Sequence, residues 1–123
     1  MMKIFFRSVT AVSYAAFLFY LSSHPWPQAS NLPPGVDKIV HISLYIPLGF
    51  VVLWMLRLTR WRYESLMAWV AWGVAVLYGL SDEVHQSFVP GRDASAADWG
   101  ADIIGAALGV SFGLLCIHLW RKE

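Results

Sequence analysis

The sequence predicts an all-α integral membrane bundle of four transmembrane helices with both termini on the cytoplasmic side, and three observations lead there. Apolar residues make up 58% of the chain and charged residues only 14%, against roughly 45–50% and 25% in soluble proteins. Separate apolar stretches of near-spanning length recur along its 123 residues. The basic and acidic residues then sort onto opposite sides of those stretches. One domain over residues 1–123 is expected, since a chain this short has room for a single core.

The first span runs from Ser8 to Ser22 and extends back through Ile4–Phe6 past Arg7. Lys3 and Arg7 ahead of an apolar run also fit a signal peptide. Tyr20 and Leu21, however, crowd the positions before Ser22 and Ser23 where cleavage needs small residues, so a retained span is expected. The proline-rich segment HPWPQASNLPPGV follows as an irregular loop. Asp37 is placed to cap the second span, Ile39–Leu56, which contains Pro47, a residue that membrane helices tolerate. A basic connection, Arg57–Ser65, leads to the third span. Its uncharged run, Leu66–Leu80, is too short to cross, because about 17 residues is the lower limit. The helix must therefore continue through the polar stretch Ser81–Phe88. Val89–Ala97 reads as a Pro-Gly turn, and Asp98 is placed to cap the fourth span, Ile103–Trp120. His24, His118 and the tryptophans at 26, 61, 99 and 120 suit the lipid–water boundary. Cys116, the only cysteine, lies in an apolar run and reads as a small hydrophobe.

Charge sets the orientation. Lys3, Arg7, Arg57, Arg60, Arg62, Arg121 and Lys122 share one side of a four-span chain, and only Lys38 and Arg92 take the other. The positive-inside rule makes the first side cytoplasmic. Asp37, Asp82, Glu83, Asp93, Asp98 and Asp102 fall outside, while Glu64 and Glu123 fall inside. A net charge of +1 offers no basic face for nucleic acid.

The polar motifs converge on that outer side. Asp37, His41 and Tyr45 are spaced i, i+4, i+8 and form one stripe on the second helix. On the third, Glu83 with Gln86 and Asp82 with His85 lie at i, i+3. Asp98 and Asp102 open the fourth helix at i, i+4, and Gly105, Gly109 and Gly113 continue that spacing as a smooth groove for another helix, including one from a second copy. Ionisable groups at membrane depth are costly and usually paired or functional. Arg92, after the Pro-Gly turn, can neutralise Asp93 or Asp98, or hold a phosphate or carboxylate bidentately. His41, His85, Asp82 and Asp98 are metal-ligand types, but their spacing matches no standard zinc pattern.

The order Asp37-Lys38-x-x-His41-x-x-x-Tyr45-x-x-Leu48-Gly49, then Glu83-x-x-Gln86-x-Phe88-x-Pro90-Gly91-Arg92, then Asp98 and Gly105-x-x-x-Gly109, resembles the VanZ-like family. Leu21-Ser22-Ser23 at the end of the first span also fits, so the resemblance covers about Tyr20 to Gly113. It implies a small multi-pass protein of the bacterial plasma membrane, without a cofactor, of a kind associated with resistance to the glycopeptide teicoplanin. It implies no established reaction. One departure stands out: where the family usually has asparagine, this chain has Asp102, which accepts but does not donate when ionised. The added charge favours a cation or a protonated carboxyl there.

Three functions are then open. The leading expectation is a non-enzymatic envelope protein binding an anionic component through Arg92 and Lys38, with Asp37, Glu83 and Asp98 holding those cations. The second is a membrane enzyme acting on a lipid-linked cell-wall intermediate or a glycopeptide, with Glu83 as general acid or base and His41 as its partner. The third, a proton or ion pathway, suffers from the near absence of ionisable groups in the cytoplasmic halves of the spans.

Overall fold

The structure is a computed structural model that describes residues 2–25, 33–57 and 62–120. The anchors Trp26 and Trp61 and the charged residues Arg60, Arg121, Lys122 and Glu123 lie outside the described residues. The described residues form four α-helices: α1 (Met2–Ser22), α2 (Val36–Leu56), α3 (Glu64–Gln86) and α4 (Ala96–Trp120). At 21, 21, 23 and 25 residues, all are long and apolar enough to cross a membrane. The third helix does continue through the polar stretch after Leu80, ending at Gln86 rather than Phe88. Pro47 sits inside α2 without ending it.

Both helix starts differ from the expected caps. Gly35, at φ 87°, holds the N-cap position of α2 with no side-chain bond. Asp37 stands inside the first turn, where its charge meets the positive end of the helix dipole. At α4 the cap is Ser95 rather than Asp98. Its hydroxyl accepts from the Ala97 N–H at 3.1 Å, and its carbonyl accepts from the Asp98 and Trp99 N–H groups. A serine hydroxyl is short enough to reach the second amide of a helix, which releases the Asp98 carboxylate for another partner.

Contacts between helices fix the topology. Arg7 donates to the Trp54 carbonyl and Tyr14 to that of Leu44, so α1 and α2 run antiparallel. Trp72 donates to Ile103 and Trp99 to Val76, which sets α3 antiparallel to α4. Gly105 meets Ile42, Gly109 meets Ile46 and Gly113 meets Leu53, so α2 and α4 are parallel. The bundle is therefore up-down-up-down. The last turns of α1 and α3 and the first turns of α2 and α4 gather at one end.

The α2–α4 contact is the closest in the fold. A Cβ added to Gly105 would stand 2.5 Å from the Ile42 carbonyl oxygen, and one on Gly109 would collide with the Ile46 carbonyl. Glycine lets two backbones touch where any side chain would hold them apart. The stripe expected to offer a groove to another helix, including one from a second copy, is filled within the chain by α2, and all three glycines are buried.

Polarity is arranged in the reverse of a soluble globule. Phe5, Leu66, Trp69, Leu77, Ile104 and Phe112 are exposed, whereas Asp82, Glu83, Gln86, Asp98 and Asp102 are buried. Soluble proteins rarely bury unpaired acids or expose an apolar girdle. A lipid-facing bundle needs the girdle and keeps its ionisable groups inside.

Candidate functional site

The site grows from the first turns of α2. Asp37 is exposed, His41 half-buried and Tyr45 buried, so the stripe does descend into the bundle. Lys38 Nζ lies 2.5 Å from Asp37 Oδ2 and 2.5 Å from Asp98 Oδ1, which ties the start of α2 to the start of α4. One turn deeper, His41 Nδ1 lies 2.8 Å from Asp102 Oδ1 and 3.9 Å from Glu83 Oε1. Asp102 has no exposed surface at all (0%). Its place is kept by Gly79 of α3, where a Cβ would stand 3.1 Å from Asp102 Oδ2 and 3.1 Å from Tyr45 Cε1. Glu83 spends its other oxygen, Oε2, on the Ser95 N–H at 2.9 Å, joining the end of α3 to the cap of α4. Three helices thus bring one imidazole and two carboxylates together.

The other expected residues fall around this cluster. Gln86 donates to Asp82 Oδ2 at 3.1 Å, so Asp82 pairs one turn ahead at i+4 and not with His85. His85 turns toward α1: its Nε2 lies 3.0 Å from Ser23 Oγ, and its ring stacks on Phe19 at 4.5 Å. Of the four metal-ligand types noted in the sequence, only His41 enters the group able to hold an ion, and Glu83 and Asp102 complete it. Asp82 and Asp98 stand outside it, bonded to Gln86 and Lys38. Arg92 donates from Nε to the His24 carbonyl at 2.8 Å and from Nη2 to the Leu21 carbonyl at 2.5 Å. It thereby closes the C-terminal end of α1, whose last carbonyls have no helical donor. Trp99 is more than a boundary anchor, because its indole N–H is committed to α3.

Two residues of consequence escaped the sequence reading. Ser95 carried a signal: Ser95-Ala96-Ala97-Asp98 has the spacing of a helix-capping motif. Gly79 carried none, since its role depends on which helix faces it.

A cavity of about 700 Å³ opens at this end of the bundle, walled by Pro33, Lys38, His41, Gln86, Arg92 and Asp98 among others. A second cavity of about 30 Å³ lies between α1, α2 and α3, with Ser22, Tyr45, Asp82 and His41 on its walls. Ser22 Oγ, Tyr45 Oη and Asp82 Oδ1 are buried without a hydrogen-bond partner among the described residues. That volume admits a water molecule, which needs about 10–15 Å³ and two or more polar neighbours.

Residues 2–119, which take in α1 to α3 and α4 up to its last residue, match the family described as VanZ/LLP1. The chain belongs to the VanZ/LLP1 family. No curated protein and no solved structure matches it. For a VanZ/LLP1 chain with four spanning helices, the geometry makes two kinds of chemistry available at the polar end. An imidazole oriented by one carboxylate and flanked by another can carry a proton. The same three groups can also converge on a cation.

Proposed function

We propose that this VanZ/LLP1 protein sits in the bacterial plasma membrane with both termini cytoplasmic, and that its polar end, facing outward, binds an anionic component of the cell envelope. The charge asymmetry of the sequence supports the orientation. The observation that carries the binding reading is the cavity of about 700 Å³, whose wall includes Lys38, His41, Gln86 and Arg92. It has room for a phosphate- or carboxylate-bearing head group, whose apolar tail would run along the lipid-facing helices. The contacts of Asp37 and Asp98 with Lys38 at the cavity wall support a role for these two acids in holding that cation. The first turns of α2 and α4 open on the same end, and helix N-termini favour anions. A link to teicoplanin resistance belongs to this reading, since a protein that holds a surface component changes what a glycopeptide meets.

Native mass spectrometry of the gently extracted protein tests it, with Lys38→Met and Arg92→Lys alongside. A phospholipid or lipid-linked precursor retained by the wild type and lost in Lys38→Met is expected. Identical adducts in all three proteins would refute the assignment of the ligand to this cavity.

The distance of 2.8 Å between His41 and Asp102 favours a second reading, an enzyme acting on a lipid-linked cell-wall intermediate or a glycopeptide. Asp102 would orient the imidazole, and Glu83 would act as general acid or base with His41 as its partner. Glu83→Gln keeps the shape and removes the basicity. Full turnover in that variant would eliminate the reading.

A further inference from the structure

The rim of the large cavity is rich in acids. Asp37, Asp93 and Asp98 stand there beside Lys38 and Arg92, and Lys38 is already shared by two carboxylates. An anionic ligand would therefore gain from a further positive charge at the base of the site. The cluster below the rim has the opposite need. Glu83 and Asp102 are 6% and 0% exposed, and the nearest basic group to either is His41. Glu83 Oε1 and Asp102 Oδ2 are both buried without a hydrogen-bond partner among the described residues. A buried carboxylate oxygen left this way costs several kcal/mol by order of magnitude unless something neutralises it. The other acids at this depth stand apart from the cluster: Asp98 is paired with Lys38, and Asp82 accepts from Gln86 while it lines the small cavity, where a water can reach its second oxygen.

We propose that His41, Glu83 and Asp102 form a binding site for one divalent transition-metal ion of the zinc or manganese kind. The three ligand atoms lie within 4.8 Å of one another. Bonds of about 2.0–2.1 Å in a tetrahedral site place ligand atoms roughly 3.3 Å apart. The observed separations of 2.8 and 3.9 Å lie on either side of that value, so a metal ion would replace the proton between His41 and Asp102, part those two atoms by about 0.5 Å and draw Glu83 Oε1 in by about 0.6 Å. Two carboxylates and a dication sum to zero, which removes the cost of burying both acids. One imidazole with two carboxylates suits zinc or manganese and lacks the thiolate that would select copper(I). Three protein ligands leave a coordination position for an oxygen atom, and His41 lines the cavity from which that oxygen would come. The metal site rests on its own geometry. It deepens the anion-binding reading by supplying the charge that a phosphate or carboxylate would meet.

The test uses metal alone, so its outcome does not depend on any envelope ligand. The full-length protein in detergent is stripped with a chelator and titrated with Zn²⁺ by calorimetry, and the zinc-loaded form is studied by X-ray absorption. One Zn²⁺ per chain is expected, with a first shell of one imidazole nitrogen and oxygens. His41→Gln, Glu83→Gln and Asp102→Asn, checked for monodispersity and unfolding temperature, should each weaken binding by about 100-fold or more. His85→Gln should bind as the wild type does. Absence of stoichiometric binding to the folded wild type would overturn the proposal. So would an absorption spectrum with two imidazoles or a sulfur, or loss of binding in His85→Gln.

Discussion

Replacing Gly105 by alanine tests the link between backbone packing and the polar cluster. The new Cβ would stand 2.5 Å from the Ile42 carbonyl oxygen, where ordinary contact begins at 3.4 Å, so α2 must retreat by about 0.9 Å. His41 directly precedes Ile42, and Asp102 lies within one turn of Gly105. The same retreat therefore stretches the His41–Asp102 bond from 2.8 Å to about 3.7 Å, beyond hydrogen-bonding range. Overpacking of this kind costs about 1–3 kcal/mol. A lost bond to a charged group costs about 1.5–3 kcal/mol more, and alanine returns about 1 kcal/mol of helix preference. The net expectation is a loss of about 2–4 kcal/mol, with partial overlap between the first two effects. Gly73→Ala and Gly100→Ala serve as controls, because a Cβ at either meets nothing within 4 Å; both should be neutral or up to about 1 kcal/mol more stable. Unfolding in mixed micelles, followed by tryptophan fluorescence, measures all three. If Gly105→Ala stayed within about 0.5 kcal/mol of wild type, the argument from close α2–α4 packing would fail.

Two further changes probe other parts of the same end. Arg92→Lys keeps the charge but loses the fork that spans the Leu21 and His24 carbonyls. Amide exchange in residues 21–24 should rise about tenfold, corresponding to roughly one lost hydrogen bond, and unchanged exchange would mean that Arg92 does not hold α1. Tyr45→Phe removes a buried hydroxyl with no partner among the described residues, so the unfolding free energy should change by less than about 1 kcal/mol. A loss above about 2 kcal/mol would show the hydroxyl bonded to a water in the small cavity.

Much of the fold was written in hydropathy and length. The continuation of α3 past Leu80 followed from the span a bilayer requires, and the stripe of Asp37, His41 and Tyr45 followed from helical periodicity. Both depend on one helix at a time. Pairings between helices were not accessible in this way, because periodicity says which residues share a face and not what that face meets. Asp102 could be placed on the stripe that leads to Gly105, yet its bond to His41 arises from α4 lying parallel to α2 at backbone contact. In the sequence Arg92 stands near the acids Asp93 and Asp98, while its bonds run to the Leu21 carbonyl in α1 and the His24 carbonyl just beyond it, 71 and 68 residues away. Acceptors of that kind exist on every helix and leave no mark in the sequence.

The parallel pairing of α2 with α4 also sets a timetable for synthesis. His41 and Asp102 lie 61 residues apart, a stretch that a ribosome translates in about 3–12 s at 5–20 residues per second. For that interval α2 waits in the membrane without the helix against which its backbone packs, and His41 and Lys38 wait without Asp102 and Asp98. A nascent chain that stops after α3 therefore leaves Lys38 with Asp37 alone and His41 with Glu83 alone. Arrival of α4 supplies Asp98 and Asp102 together, so both pairings and the assembly of the site are completed in one step.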